Sequence, residues 1–403
     1  MNKEIIVSVI ITTYNRRDYL QEAIDSVLAQ SYPHYELIVI DDGSTDGTKE
    51  LIPSKYEGKL KYIWHENQER SRARNLGISI SKGKYLAFLD SDDKWHPDKL
   101  REQVKALEEK REKDNDIALV CSSVWIIDGD GNLVSTKVAG RKLGLENYQF
   151  EDFLQFPRIY APPSNGLYVR EFVEEVGGFD EDLPPVEDWA LLVKLRAKYK
   201  FVFINKPLLY YRVHDIHQQG LTSHKDIERT LELKTRFLDR FANQYVDKDK
   251  LNLAKLGLYE TAAYRHFNIE DWENGKKYLE KASQISNDPV EDKTRVVQKI
   301  AYWGLASAKE KGITQVQDFL DFFENQFLKN IAEIWPNDLL NQSGIKKSAT
   351  AAFCHLIICE EIIPKTRKEN LQLSRTALRN GRFWCSFSTW KTYFKNLFLL
   401  SEI

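Results

Sequence analysis

The run Tyr85-Leu86-Ala87-Phe88-Leu89 is apolar and built of strand-formers, and it stops on Asp90, Asp92 and Asp93, three carboxylates in four positions. Like charges packed this tightly repel unless something positive neutralises them. A hard divalent cation such as Mg²⁺ or Mn²⁺ does so, taking carboxylate oxygens together with substrate phosphates. In a parallel α/β sheet, ligands bind at the carboxyl ends of the strands. The run therefore predicts a metal–diphosphate site at the end of a buried strand, with a solvated acidic turn as the competing reading.

The preceding residues repeat the pattern. Val7-Ser8-Val9-Ile10-Ile11-Thr12-Thr13 is short, continuous and β-branched, which predicts a buried strand broken by Tyr14-Asn15-Arg16. Asp18 is placed to N-cap a helix carrying Leu20, Ala23, Ile24, Val27 and Leu28 on one face. Leu37-Ile38-Val39-Ile40 predicts a second strand ending on Asp41-Asp42-Gly43-Ser44, and Tyr62-Ile63-Trp64 a weaker third. A helix through Arg74-Asn75, closed by Ile78 and Ile80, leads to the strand at Tyr85. Alternating strands and helices with polar strand ends predict an α/β fold: an open, mostly parallel sheet flanked by helices, its polar clusters on one edge.

Other chemistries find no support. Neither G-x-x-x-x-G-K-[ST] nor G-x-G-x-x-G occurs, so P-loop and dinucleotide fingerprints are excluded. Asp42, Ser44, Asp46 and Gly47 imitate an EF-hand start, but Pro53 stands where the bidentate Glu is required. Asp128-Gly129-Asp130-Gly131-Asn132 fails the same test and reads as a hairpin turn. A net charge of −2 gives no case for nucleic acid. Four cysteines, Cys121, Cys354, Cys359 and Cys385, are too scattered for a disulfide framework or a zinc site, and Cys121 reads as an inert core thiol. Met1-Asn2-Lys3-Glu4 runs into a strand without a leader pattern, and no apolar run reaches eighteen residues, so a cytoplasmic location is expected.

Seven segments in order resemble family-2 glycosyltransferases. They are Val7 to Asn15, Asp41 to Thr48, Ala73-Arg74-Asn75-Leu76-Gly77-Ile78, Leu89 to Asp93, Gly177-Gly178-Phe179-Asp180-Glu181, Glu187-Asp188-Trp189-Ala190-Leu191 and Tyr210-Tyr211-Arg212-Val213-His214. The resemblance implies the nucleotide-sugar-binding GT-A fold and an inverting, Mn²⁺- or Mg²⁺-dependent transfer from a nucleotide-sugar donor, UDP above dTDP or GDP, to a glycan or lipid-linked acceptor. A nucleotidyltransferase on a related fold, or a non-catalytic nucleotide-sugar-binding scaffold acting through the helical half, are the alternatives.

Residue by residue, the resemblance implies that Thr12 and Tyr14 frame the base, Tyr14 by stacking. Asp42 would bind uracil or ribose, although it is also good turn sequence. Arg74 would reach the base or phosphates unless it is an exposed helix charge. Asp92 would ligate the metal, with Asp90 on the ribose or a metal-bound water and His214 completing the metal shell. Arg212 would close over the diphosphate, while Asp93 would orient its loop. Asp188 would be the general base and Glu187 the second candidate or an acceptor contact, with helix capping as the bland alternative. Gly177 to Asp180 would bind acceptor. The family often has an acidic residue where Ala190 stands and Arg where Lys194 stands, so acceptor handling is less defined. His217 and His224 lack zinc-ligand spacing.

The expected organisation is a catalytic domain over 1–224, with a nucleotide half 1–93 and an acceptor half 94–224, then an all-α domain over 225–403. Leu251, Ala254, Leu258, Ala262, Gly275, Leu279, Ala282 and Pro289 suggest a tetratricopeptide-like hairpin over 251–289, and further stripes run over 297–308 and 316–334. Residues 364–403 hold eight Lys/Arg against two Glu, interleaved with Phe383, Trp384, Phe387 and Trp390. Such a tail suits peripheral contact with a cytoplasmic membrane, or packing into the helical core.

Overall fold

The computed structural model describes residues 5–135, 163–214, 227–245, 248–269 and 271–285, with residues 318, 321, 322, 325 and 327. They fall into two compact units: those of Met1–Ser223 and Arg229–Ala254, and those of His224–Glu228 and Lys255–Ile403.

The first unit is built on a nine-stranded sheet. Strands β1 (Val7–Thr13), β2 (Tyr35–Asp41), β3 (Lys61–Trp64) and β4 (Tyr85–Asp90) pair in parallel, in the order β3-β2-β1-β4. Helices α1 (Arg17–Leu28), α2 (Thr48–Lys55) and α3 (Arg70–Ile80) connect them. The sheet then turns mixed. Short β8 (Leu167–Val169) pairs antiparallel with β4 and with β6 (Ile117–Ile127). β6 is parallel to β9 (Lys200–Arg212), antiparallel to β7 (Leu133–Ser135), and β9 carries β5 (Lys94–Trp95) on its far side. The pairing among β1–β4 is thus wholly parallel, and the rest of the sheet is not.

Continuous apolar strands are buried on both faces. Val7, Val9 and Ile11 of β1 join Leu20, Ile24 and Val27 of α1 and Leu100 and Leu107 of α4 (Lys99–Arg111) on one side. Ile10, Ile38 and Phe88 join Ala73 and Ile78 of α3 and Leu191 and Leu195 of α6 (Glu187–Lys198) on the other. Gly77 is what lets α3 sit this close, since a Cβ there would lie 2.5 Å from Ile10 Cγ2. A short α5 (Arg170–Glu175) follows β8. Register lines up the strand ends: Thr13 is opposite Asp41, Thr12 opposite Asp90, and Asp41 opposite Trp64.

One local expectation changes. Asp18 lies inside the first turn of α1, and its cap comes from a distant loop: Asp46 Oδ2 accepts the Arg17 N–H at 2.9 Å. Asp46 Oδ1 also takes Thr48 N at 3.2 Å, so one carboxylate caps α1 and α2 together. The Asp128–Asn132 turn forms as expected, with Asp128 Oδ1 accepting from Asp130 N and Asn132 N at 3.0 and 2.8 Å. Cys121 is fully buried, and burial pushes its thiol up to about 12.

Helix α7 (Ile227–Tyr245) contributes to the first unit from Arg229 on, beyond the boundary expected at 224. In the second unit, α8 (Lys248–Asn268, from Lys255) and α9 (Trp272–Ile285) form a helical hairpin. Leu258, Ala262, Leu279 and Ala282 are buried in it, and His266 stacks on Tyr278 at 5.3 Å. Pro289, the 297–308 stripe, most of the 316–334 stripe, the basic tail, His217, His224, Cys354, Cys359 and Cys385 lie outside the described residues. Among the described residues, no helix is long and apolar enough to cross a membrane.

Candidate active site

The β1 and β2 ends are laced together. Asn15 takes the left-handed conformation and donates its N–H to Ser44 Oγ at 2.9 Å, while its Oδ1 accepts Thr45 N at 2.8 Å. Tyr14 emerges 51% exposed beside this brace, and half-buried Thr12 precedes it on the strand. Asp41 is buried, accepting Ser44 N at 2.8 Å and the Tyr62 hydroxyl, so it shapes the loop. Gly43 makes that turn at φ +87°, where a Cβ would meet the Asn67 backbone. Asp42 accepts Gln68 N at 2.8 Å with His65 Nδ1 at 3.4 Å; burial raises its carboxyl above the usual range, against those partners. Trp64 shows a face at the end of β3 with Lys49 Nζ 3.8 Å above its ring, an aromatic that sequence reading left without a role.

β4 ends at Asp90, and a turn closed by Asp93 N on Asp90 O at 3.0 Å follows it. The three carboxylates separate by partner. Asp93 is buried and accepts the Arg212 N–H at 2.9 Å; burial, then Asp92 and Asp90, holds its carboxyl well above the usual range. Asp90 is anchored through its N–H on Ser164 Oγ at 3.0 Å, and its Oδ1 accepts from Arg74 at 2.7 Å. Burial alone would raise the Asp90 carboxyl, but the Arg74 guanidinium wins and holds it below the usual range. Asp92 Oδ2 meets Arg16 Nη1 and His214 Nε2, the latter at 2.8 Å, and both of these partners line a cleft.

That cleft, about 760 Å³, is lined by Asn15, Arg16, Tyr19, Asp46, Gly129 and His214 among others. A carboxylate oxygen and an imidazole nitrogen side by side are donors that a hard divalent cation accepts, with phosphate and water filling the remaining positions. Among the described residues no cluster of three or more such ligands forms. The pair fits a cation carried with a diphosphate better than one held by protein alone.

Two arginines lie elsewhere than expected. Arg212 is spent on scaffolding: Nε donates to Asp92 O at 2.7 Å, Nη1 to Gly129 O at 2.7 Å and Nη2 to Glu22 at 2.8 Å, over the Tyr19 ring. It pins the acidic turn, the hairpin and α1 to one another. Arg74 is 3% exposed; Nη2 holds Asp90 and Nη1 holds Glu187 Oε1 at 2.8 Å, above the Phe179 ring. Ser71, Arg74 and Ile78 are all on the buried face of α3, a spacing that could have flagged Arg74 as interior.

Glu187 and Asp188 open α6, where the helix dipole favours negative charge. Glu187 is 1% exposed, with Arg70 at 3.8 Å as its second cation, and its Oε2 has no hydrogen-bond partner among the described residues. Asp188 is half-buried; burial, then Glu187 beside it, pushes its carboxyl up to about 6, against Trp189 N–H, Arg74 and Lys234. Asn75 holds the 177–180 loop from α3, donating to Phe179 O at 2.9 Å and accepting Phe179 N at 3.0 Å. Arg16, Arg70, Ser164 and Lys234 were not singled out from sequence.

At one edge of the mixed sheet, the acidic turn after β4 is joined through Arg74 to the carboxylates that open α6, the arrangement of an α/β protein with its site at the strand ends. The signature of Glycosyl transferase family 2 matches residues 8–177. An uncharacterized glycosyltransferase of Nostoc is 31% identical over 285 residues, covering 66% of this chain and 84% of that protein. The chain belongs to glycosyltransferase family 2. The amylovoran biosynthesis glycosyltransferase AmsB of Erwinia amylovora is 30% identical over 222 residues, 52% of this chain and 71% of AmsB. The putative teichuronic acid biosynthesis glycosyltransferase TuaG of Bacillus subtilis is 44% identical over 108 residues, 26% of this chain and 43% of TuaG. The fold matches S. aureus TarS 1-349 in complex with UDP-GlcNAc at a TM-score of 0.51 and 18% identity, over 82% of this chain and 90% of that one. That likeness extends the GT-A fold assignment.

Proposed function

We propose that the protein is an inverting, Mn²⁺- or Mg²⁺-dependent glycosyltransferase that moves a hexosyl group from a UDP-sugar to a hydroxyl of a glycan or lipid-linked acceptor in cell-surface polysaccharide synthesis. One observation carries the reading: the Arg74 guanidinium joins Asp90, on the donor side, to Glu187, beside the proposed base Asp188. Donor and acceptor chemistry would then meet across one buried cation. AmsB and TuaG, both named for polysaccharide synthesis, support the pathway class, and the UDP-GlcNAc bound by TarS supports the nucleotide.

In this reading Thr12, Tyr14 and Asp42 take the uridine, with Trp64 beside them. Asp92 and His214 would hold the cation, and Arg16, which meets Asp92 here, would be available to the diphosphate. When bound, the cation stabilises negative charge on the departing diphosphate. Asp188 removes the acceptor hydroxyl's proton as that oxygen bonds to the anomeric carbon. The bond from that carbon to the phosphate oxygen breaks, its electron pair leaves with UDP, and the configuration inverts. A base whose carboxyl sits at about 6 is ionised at neutral pH yet basic enough to take a proton. Arg74 and Arg212 position the carboxylates rather than touching donor. The basic aromatic tail, 364–403, would hold the enzyme at a cytoplasmic membrane surface near its acceptor.

The test is a thermal-shift panel of UDP-, dTDP- and GDP-sugars with Mn²⁺, followed by NMR of the product. A UDP-sugar should stabilise the protein most, and the new bond should have the opposite anomeric configuration to the donor. Retention would overturn the inverting assignment.

A further inference from the structure

Helix α7 lies past residue 177, where the family signature ends, yet from Arg229 it belongs to the catalytic unit. It is fastened to the loop before α6 by charge. Arg236 donates to Asp182 O at 2.6 Å, and Arg240 reaches Asp182 Oδ2 at 3.0 Å and Asp180 Oδ1 at 3.3 Å. Lys194 of α6 meets Asp180 at 2.9 Å, so Asp180 ties both helices. Phe237 meets the Trp189 ring edge-on at 5.3 Å and stacks on Phe241 at 5.2 Å. These contacts fix α7 against the start of α6.

Lys234 projects from that helix into the same place. It is 8% exposed, with its Nζ 4.9 Å above the Trp189 ring. Lysine is rarely buried, because its ammonium gives up hydration, and an aromatic face returns only part of it. Trp189 directly follows Asp188, and the Lys234 charge acts on the Asp188 carboxyl. Among the described residues, Glu187 on its own helix, Arg74 from α3 and Tyr168 from β8 also face Asp188. Arg74 is divided between Asp90 and Glu187, and Arg70 lies at Glu187.

We propose that Lys234 is a positioning residue for the transfer reaction: from a helix outside the family signature, it seats Trp189 and keeps a positive charge beside Asp188, favouring the ionised base. The ion pairs of Arg236 and Arg240 hold that charge in register with the acceptor loop. The proposal rests on Asp188 being the base.

The test compares full-length wild type, Lys234→Met, Lys234→Arg and Asp188→Asn. It reads the pH profile of UDP-sugar hydrolysis, water standing as acceptor and the donor being the one the panel selects. In Lys234→Met the acid limb of kcat/KM should move up by roughly 1 pH unit, the low end for losing one nearby opposite charge. UDP affinity with Mn²⁺ should stay within about twofold, since Lys234 is on the base side. Lys234→Arg should restore the wild-type limb. An unmoved limb in folded Lys234→Met, with the limb erased in Asp188→Asn, overturns this proposal alone. A limb that persists in Asp188→Asn overturns the base assignment and this proposal with it. Should Lys234→Met fail to fold, Lys234→Gln carries the same comparison.

Discussion

Replacing Arg74 by Met should destabilise the catalytic unit through Glu187 more than through Asp90. Both carboxylates lose a charge-assisted bond, of 2.8 Å at Glu187 Oε1 and 2.7 Å at Asp90 Oδ1. Asp90's side chain is a third exposed and can take up water in exchange. Glu187 is 1% exposed, its Oε2 already lacks a described partner, and Arg70 at 3.8 Å is what remains. Removing one partner of a buried pair costs about 3–5 kcal/mol, and the accessible Asp90 argues for the lower end, about 3 kcal/mol. For a unit of this size that is a fall in Tm of roughly 6–12 °C. Urea unfolding of Arg74→Met, Glu187→Gln and the double variant forms a cycle. The double variant should recover most of the loss, because a neutral amide beside Met no longer strands a buried charge. Losses that add within about 0.5 kcal/mol would refute the bridge as the source of stability.

Other consequences are open to measurement. Burial pushes the Lys99 amine down to about 7, with Gln103 Oε1 at 2.6 Å and no carboxylate among its described hydrogen-bond partners. The unfolded chain binds that proton up to about 10.5, so stability from this group rises with pH between about 7 and 10.5 and is lowest below 7. Lys99→Met should therefore gain roughly 1–3 kcal/mol near pH 7 and less near pH 10; a pH-independent gain in urea titrations would contradict this. Asp92→Asn should abolish the Mn²⁺-dependent part of thermal stabilisation by UDP while the fold persists, because ligands stabilise only by binding the folded state. Unchanged Mn²⁺ dependence would remove Asp92 from the metal site. Truncation near Thr366 should weaken sedimentation with anionic liposomes, and salt should loosen the intact protein, since surface attraction is screened within a Debye length. An intact protein that ignores liposomes would end the membrane proposal.

What the sequence made legible was local and periodic. Val7–Thr13 forms the strand its β-branched run predicts, with the same limits, and Leu37–Ile40 lies inside β2. The polar strand ends converge because parallel register aligns them, which topology alone requires. Long-range side-chain pairing was not legible. Asp46 caps α1 from 29 residues away, and Arg74 reaches Glu187 across 113 residues. Arg212 reads as a cleft residue in sequence, yet its partners, the Asp92 carbonyl and Glu22, become neighbours only once β9 closes the sheet. Ser164 carried no signal at all, since its role depends on a single turn over Pro163–Asn165 set beside Asp90.

The account stands or falls on Asp188, and the decisive measurement is single-turnover transfer by Asp188→Asn at saturating UDP-sugar and Mn²⁺, with UDP affinity determined on the same sample. A positioned base gives roughly 10²–10⁴-fold, so transfer should fall by that factor with donor affinity nearly unchanged. The wild-type acid limb near pH 6 should vanish in the variant. Transfer within a few-fold of wild type, with the limb intact, would contradict the assignment and leave the α6 carboxylates a structural role.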